Sequence, residues 1–173
     1  MRQFKAPGFT LIELILVTGI LAIFAVGLMA IINPSSQIFK ANDARRKSDL
    51  AQIQRALEAY YQDNGRYPSS SSNHIFTTVQ INWGSSWEPY MSVVPKDPSA
   101  SRNYVYFASS DGQSYVLYAS LEKGTDAQAC NGGNPCKSLN GATVPGNSMI
   151  IPVTTNACGG TCNYGVASPD ITP

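Results

Sequence analysis

An apolar stretch from Phe9 to Ile32 constrains the fold of this chain more than any other feature of its sequence. The stretch contains 24 residues, of which only Glu13 is charged. As an α-helix it would be roughly 36 Å long, enough to cross the hydrocarbon of a bilayer, which is about 30 Å thick. Two basic residues and no acidic one precede it. This bias predicts that the N-terminus stays in the cytoplasm and that everything after Ile32 lies outside.

The apolar stretch differs from a cleavable secretory signal. A secretory signal has a shorter apolar core, followed by small residues in an A-x-A-like cleavage pattern. Here the core is longer, and Asn33 and Pro34 follow it. We therefore expect the stretch to remain in the protein as a membrane anchor.

The single acid of the stretch, Glu13, needs an explanation. A carboxylate costs up to roughly 3.5 kcal/mol at the centre of a spanning helix unless it has a partner. Cleavage between Gly8 and Phe9 would create one, because the new α-amine of Phe9, in the same chain or in a neighbouring copy, would attract the carboxylate in a low-dielectric medium. The alternative is that Glu13 is simply tolerated near the membrane interface.

The segment KAPGFTLIEL, from Lys5 to Leu14, carries a processing motif. It resembles the prepilin signature of type IV pilins and of the related pseudopilins of type II secretion. The matching positions are Lys5, Gly8, Phe9, Thr10, Leu11, Ile12, Glu13 and Leu14. The resemblance implies a leader of residues 1–8, cleavage after Gly8 by a prepilin peptidase, N-methylation of Phe9 and a role for Glu13 in subunit register.

A second helical pattern lies between Lys40 and Asp63. Apolar residues recur there at three- and four-residue steps, the spacing of an amphipathic helix. They are Leu50, Ile53, Leu57, Tyr60 and Tyr61. Asn64 and Gly65 supply a C-terminal cap, and Pro68 prevents the helix from continuing.

The two patterns together predict one helical rod of roughly 55 residues. Its first half, residues 9–33, would span the membrane or form a filament core, and its second half, residues 34–65, would carry a head. Gly19, Gly27 and Pro34 are expected to let the rod bend or unwind locally. These positions of the chain resemble the region of the pilin helix that loosens when subunits pack into a filament.

Five charged residues cluster in the second half of the predicted rod: Asp43, Arg45, Arg46, Lys47 and Asp49. A solvated helix face is the default interpretation, because exposed ion pairs contribute only about 0 to 1 kcal/mol. The alternatives are a salt-bridge zone between subunits and a contact with lipid headgroups.

The remaining residues, 66–173, are expected to form a small extracytoplasmic head. Two segments, YYQDNGRYP at 60–68 and WGSSWEPYMSVVPKDP at 83–98, are similar to the pilin-like class that includes the major pseudopilin of type II secretion. The resemblance therefore extends into the head, and it implies an α+β, pilin-like fold with a small antiparallel sheet.

The β pattern of the head centres on a hairpin. Tyr104–Phe107 and Tyr115–Tyr118 are β-prone runs, and residues 109–112 form a turn between them. We expect one face of this hairpin to cover the helix and the other to pack on a neighbour. The segment 149–153 is predicted to add an edge strand, and 69–73 is predicted to be a polar loop.

The loop-rich C-terminal part of the chain contains all four cysteines: Cys130, Cys136, Cys158 and Cys162. An even count, their clustering and an extracytoplasmic location favour disulfides that staple these loops. Four cysteines allow three pairings, and the sequence leaves all three open. A zinc site is the alternative, although the spacings C-x5-C and C-x3-C fit the usual finger pattern poorly.

The resemblance to type II pseudopilins also implies calcium, bound in the loop after the hairpin by acidic side chains and carbonyls. Here only Glu122 and Asp126 fall in that place, so they are weak candidates, and no other metal or cofactor is expected. The single histidine, His74, has no cysteine or acid beside it and is expected to be a surface loop residue.

Composition argues against two classes of function. The net charge is +1, and residues 67–173 contain 4 basic and 6 acidic side chains, so no basic patch indicates nucleic-acid binding. With one histidine, cysteines expected to be oxidised and acids scattered singly, we expect no enzyme.

Three functions remain. The first expectation is a pilin: a single-pass precursor in the cytoplasmic membrane that, after cleavage, joins copies of itself in a type IV pilus-like surface filament with the help of the pilus assembly machinery. The alternative is a pseudopilin of a type II secretion pseudopilus. A third possibility, from another class, is a monomeric membrane-anchored binding module.

Overall fold

The computed structural model describes residues 8–141 and 150–173. The predicted leader therefore lies outside the described residues except for Gly8, and so does Met149 of the predicted edge strand. The chain divides into two compact units, which meet between Ile38 and Phe39 in sequence. The second unit contains the head, and the predicted α+β, pilin-like organisation is confirmed.

The apolar stretch forms helix α1, Leu11–Ile32. Thr10 is the N-cap, and its backbone and side chain form a capping box with Glu13. The helix ends at Asn33, whose backbone is left-handed, with φ 44° and ψ 76°. Pro34 explains this end, because a proline lacks an N–H and disfavours the helical conformation of the residue before it.

Helix α2, Pro34–Asn64, begins directly after this interruption. The predicted rod is thus interrupted at Asn33, next to Pro34. From Leu50 to Leu57 one side of α2 is buried in the core, as its three- and four-residue spacing predicted. Gly65, with φ 67°, ends the helix, and its N–H donates to the carbonyl of Tyr61 at 2.8 Å.

A first antiparallel sheet follows α2. Its strands are β1, Ser69–Ser71, β2, His74–Phe76, and β3, Gln80–Ile81, in the order β1-β2-β3. The prediction of a polar loop at 69–73 is wrong for β1, because this strand forms by pairing with β2 and its serines show no β pattern in the sequence. Ser70 lies opposite Ile75, and the Ser70 hydroxyl accepts the N–H of Ala108 at 3.3 Å.

The second antiparallel sheet contains the predicted hairpin. Strands β4, Val105–Ala108, and β5, Tyr115–Ala119, pair with Val105 opposite Tyr118, and β6, Tyr164–Ala167, pairs with β5 to give the order β4-β5-β6.

The predicted strand at 149–153 is not the third strand of this sheet. Residues 151–153 are irregular, and the carbonyls of Ile151 and Val153 accept the N–H groups of Gly141 and Asn140 at 2.7 and 2.8 Å. Their apolar side chains are nevertheless buried, so the β-prone composition of this segment serves the core without joining the sheet.

Both faces of the second sheet are covered within the chain. Tyr104, Tyr106, Tyr115 and Leu117 pack with α2 on one face. On the other face, Val105, Val116 and Tyr118 pack with the C-terminal segment, whose buried members include Leu139, Ile151, Val153 and Ile171. The expectation that a neighbour covers the second face is therefore wrong, because the C-terminal loops already do so.

The four cysteines form two disulfides, Cys130–Cys136 and Cys158–Cys162, which confirms the expected staples. Cys158 and Cys162 are fully buried in the second cluster, and Cys136 is 3% exposed. Each bridge closes a short loop, of 6 and 4 residues in sequence separation. The disulfides thus hold the loops that cover the outer face of the sheet.

Candidate functional site

The predicted cleavage point lies in exposed backbone before α1. Gly8 and Phe9 are not helical, and Phe9 is 80% exposed. A peptidase that acts on an extended peptide would meet no secondary structure here. Cleavage after Gly8 and N-methylation of Phe9 stay predictions.

Glu13 is bound within its own helix terminus. Its Oε2 atom accepts hydrogen bonds from the backbone N–H of Thr10 at 2.9 Å and from the Thr10 hydroxyl at 2.7 Å. In return, the hydroxyl oxygen of Thr10 accepts the N–H of Glu13 at 3.3 Å. These bonds satisfy polar groups that the first turn of a helix otherwise leaves unpaired. The carboxylate thus has a local partner before any α-amine exists at Phe9.

The surface of α1 is apolar on all sides. Among the residues that the structure describes, the span Leu11–Met29 is the helix whose length and composition allow it to cross a membrane, and none of its most apolar window is buried. This helix indicates a membrane-anchored protein. Gly19 and Gly27 lie inside the regular helix, and the interruption lies beside Pro34, so loosening of the helix during assembly stays a prediction.

The charged cluster of α2 contains a buried arginine. Arg46 is 0% exposed, and its Nε and Nη2 atoms donate to the two carboxylate oxygens of Asp97 at 2.8 and 2.9 Å. Its Nη1 atom donates to Asp43 and to Glu122, both at 2.9 Å. One guanidinium therefore joins three segments: α2, the segment before β4 and the segment after β5.

Asp43 extends the same connection to backbone. Its carboxylate accepts the N–H groups of Glu122 at 2.8 Å and of Lys123 at 2.9 Å. These donors help to compensate the excess of carboxylates around Arg46. The solvated-face interpretation is therefore wrong for Asp43, Arg46 and Asp49, which are all buried. It holds for Arg45, whose side chain is 65% exposed.

The protonation states follow from this geometry. Burial alone would lower the pKa of Arg46, but its hydrogen bonds to Asp97 and Glu122 raise the pKa above the ordinary value. Burial raises the pKa of Asp49, although the hydrogen bond that it accepts from the Tyr104 hydroxyl at 2.7 Å lowers it. Arg46 thus stays charged throughout, whereas Asp49 resists ionisation.

The two calcium candidates are already bound to cations of the chain. Glu122 accepts from Arg46, and Asp126 accepts from the Lys47 ammonium at 2.6 Å. Among residues 8–141 and 150–173, no group of three or more His, Cys, Asp or Glu side chains could hold a metal ion. A calcium ion takes six to eight oxygen ligands, so this donor set does not fit the metal that the resemblance implies.

Sequence reasoning missed two partners in the head. Asp97 lies within the segment 83–98 that resembles pseudopilins, and Glu58 lies outside the apolar spacing of α2, so the sequence predicts a role for neither side chain. Glu58 instead accepts hydrogen bonds from the hydroxyls of Tyr67 at 3.0 Å and Tyr115 at 3.4 Å. The tyrosine-rich composition was the one available signal, since buried tyrosine hydroxyls need acceptors.

His74 has a local structural role. Its Nδ1 atom lies 2.7 Å from the carbonyl oxygen of Ser72, and its ring stacks on Trp83 with centroids 5.4 Å apart. Neither of these two contacts connects His74 to the charged cluster of α2 or to a disulfide.

Comparisons with known proteins identify the family. Residues 33–137 match the family model described as type II secretion system (T2SS), protein G. The type II secretion system core protein G of Klebsiella michiganensis is 29% identical over 103 residues, 57% of this chain and 71% of that protein. The core protein G of Aeromonas hydrophila is 34% identical over 70 residues, 40% of this chain and 48% of that protein. No solved structure matches the chain. Because the family model covers more than half of the sequence and the fold is pilin-like, the chain belongs to the type II secretion system protein G family of pseudopilins.

Proposed function

We propose that this protein is a pseudopilin, a structural subunit that polymerises through α1 into the pseudopilus of a type II secretion system. In this proposal a prepilin peptidase removes residues 1–8, and copies of the chain leave the membrane by packing their apolar helices together. The chain itself performs no catalysis. Its partners are further copies of itself and the secretion machinery.

The observation that carries the proposal is the surface of α1. An apolar helix needs a surrounding that is equally apolar, and either lipid or other copies of α1 provide one. Glu13 is the single charge on this helix, and an unpartnered carboxylate in such a surrounding is costly. A neighbouring α-amine at Phe9 would supply a stronger partner than Thr10, so polymerisation explains both Gly8 and Glu13.

The family match supports a pseudopilus over a surface pilus. It covers residues 33–137, which lie after the N-terminal signature that pilins and pseudopilins share. The sequence alone placed the type IV pilus before the type II secretion pseudopilus, and this proposal therefore reverses that order. The two disulfides of the head are the feature that favours an exposed pilus.

The test compares Glu13→Ala with Thr18→Ala in cells that express the full-length chain. Thr18 is a matched control because it is another polar residue of α1, five positions after Glu13, and its hydroxyl bonds only backbone carbonyls of its own helix, those of Leu14 at 2.9 Å and Ile15 at 3.1 Å. Chemical cross-linking and electron microscopy measure polymer, and intact mass measures cleavage and methylation. We expect Glu13→Ala to lose polymer by at least about tenfold, while Thr18→Ala assembles normally.

A second measurement separates the three functions. Deletion of the protein should stop the release of secreted proteins into the medium if it is a pseudopilin. Loss of surface filaments with normal secretion would indicate a type IV pilus instead. If Glu13→Ala and wild type are both monomeric in the membrane and both keep residues 1–8, the polymerisation proposal fails and an anchored binding module explains the chain better.

A further inference from the structure

The loop between β5 and the first disulfide is fixed to α2 by charges. Its acidic residues between positions 120 and 129 are Glu122 and Asp126. Both belong to the head, and both receive a cation from the same helical turn of α2: Arg46 at 2.9 Å and Lys47 at 2.6 Å. Each acid of the loop is therefore paired with a cation of α2.

Hydrogen bonds of the loop backbone complete this attachment. Besides the two N–H groups that Asp43 accepts, Leu121 donates its N–H to the side-chain oxygen of Asn163 at 2.7 Å. Further along, the carboxylate of Asp126 accepts the N–H of Gln128 at 2.9 Å. Four N–H groups of the loop and both of its acids thus have partners within this chain.

The position of Lys47 is incompatible with a divalent ion at Asp126. Its ammonium lies on the carboxylate and also over the ring of Tyr164, with 5.8 Å between Nζ and the ring centroid. A second cation in contact with the same carboxylate would be repelled by the ammonium, and an ammonium offers no lone pair to a metal.

We infer that Lys47 and Arg46 replace a bound metal ion as the cations that pair with the acids of this loop, and that the loop from residue 120 to 129 folds and stays ordered without calcium. The resemblance to metal-binding pseudopilins thus fails at this one place. The physical reason is that a fixed side-chain cation removes the same charge repulsion between acids that a calcium ion would remove.

Hydrogen–deuterium exchange of the full-length protein in detergent tests the inference. We expect the amides of residues 120–129 to exchange at the same rate in EDTA and in millimolar calcium, and the melting temperature to be unchanged. A calcium ion present at about 100 times its dissociation constant would raise the melting temperature by roughly 5 to 10 °C, so a site would be evident. Faster exchange in EDTA would overturn the inference.

Two lysine variants test the role that we assign to Lys47. Lys47→Ala should raise exchange in residues 120–129 by about two- to fivefold, and calcium should not restore it. Lys40→Ala is the matched control, because Lys40 is an exposed lysine of the same helix, and it should change nothing. Equal exchange in both variants would overturn the inference.

A terbium titration adds a readout that does not depend on stability. Tyr164 lies close enough to Lys47 to sensitise a lanthanide bound at Asp126. We expect no saturable terbium luminescence that calcium displaces. Saturable luminescence of the wild-type protein, displaced by calcium, would show that the loop is a metal site and overturn the inference.

Discussion

Removal of the buried guanidinium is the most informative perturbation of this head. Arg46→Met keeps most of the side-chain volume but deletes the charge that Asp43, Asp97 and Glu122 share. Arg46 and the side chain of Asp97 are 0% exposed, so water cannot replace the lost bonds without opening the structure. The remaining carboxylates would repel each other in a poorly solvated space.

The magnitude follows from the burial. Removing one partner of a buried ion pair costs about 3 to 5 kcal/mol, because an uncompensated charge stays behind. Total stabilities of domains are about 5 to 15 kcal/mol, so Arg46→Met should remove a large share. At about 2 to 4 °C per kcal/mol for a chain of this size, the melting temperature should fall by roughly 6 to 20 °C.

Thermal unfolding, followed by near-ultraviolet circular dichroism of the buried tyrosines, measures this loss in the full-length protein. Arg45→Met is the matched control: its side chain is 65% exposed and lies 3.9 Å from Asp49, so it should change stability by less than about 0.5 kcal/mol. Should Arg46→Met not fold, Arg46→Lys keeps the charge, loses the two-atom fork to Asp97 and should be intermediate.

The comparison of Arg46→Met with Arg45→Met decides whether Arg46 has the role that its contacts indicate. A loss of less than about 1 kcal/mol at neutral pH, no greater than that of Arg45→Met, would refute the assignment of Arg46 as the centre of a buried network.

Two further predictions concern the packing of the head. Asp49→Asn should be as stable as the wild type or more stable at pH 7, because burial raises the pKa of Asp49 in the folded state despite the bond from Tyr104, and ionisation there costs stability. Below the unfolded pKa of 3.8 Asp49 is protonated in both states, so the wild type keeps its full stability, and it loses stability as the pH rises through the folded pKa. Urea titrations should therefore show that the stability advantage of Asp49→Asn disappears on acidification. Gly159→Ala should cost roughly 2 to 5 kcal/mol in the same titrations, because its φ is 71° and a Cβ would lie 2.2 Å from the carbonyl oxygen of Ser101. Gly132→Ala, with φ 67° and open space around it, should cost only about 1 to 2 kcal/mol; equal losses at the two glycines would contradict the predicted clash.

The hairpin and the buried side of α2 could be predicted because both depend on local patterns. Tyr104–Phe107 and Tyr115–Tyr118 combine β-prone residues with a short turn, and the structure places strands there with shifts of only one residue. The third strand could not be predicted. Tyr164–Ala167 includes a glycine and has a weak pattern, yet it pairs with β5, while the more apolar segment near Ile151 fills the core.

The candidate sites divide in the same way. The prepilin signature and the membrane-spanning stretch were visible because they are contiguous. The role of Arg46 was not, since its partners Asp97 and Glu122 lie 51 and 76 residues further along the chain. Helix periodicity alone predicts that a charged cluster is solvated. Burial of these charges is stable only in a fold that brings distant acids to the same point.

The sequence by itself determined α1, because an apolar run of this length needs no distant partner to become a helix. It also determined that four cysteines would staple the loops. Only the tertiary structure decided which cysteines pair, which segment completes the sheet and where the cations of α2 point. Those outcomes depend on contacts between residues far apart in the chain, and such contacts form only when the whole head packs around one core.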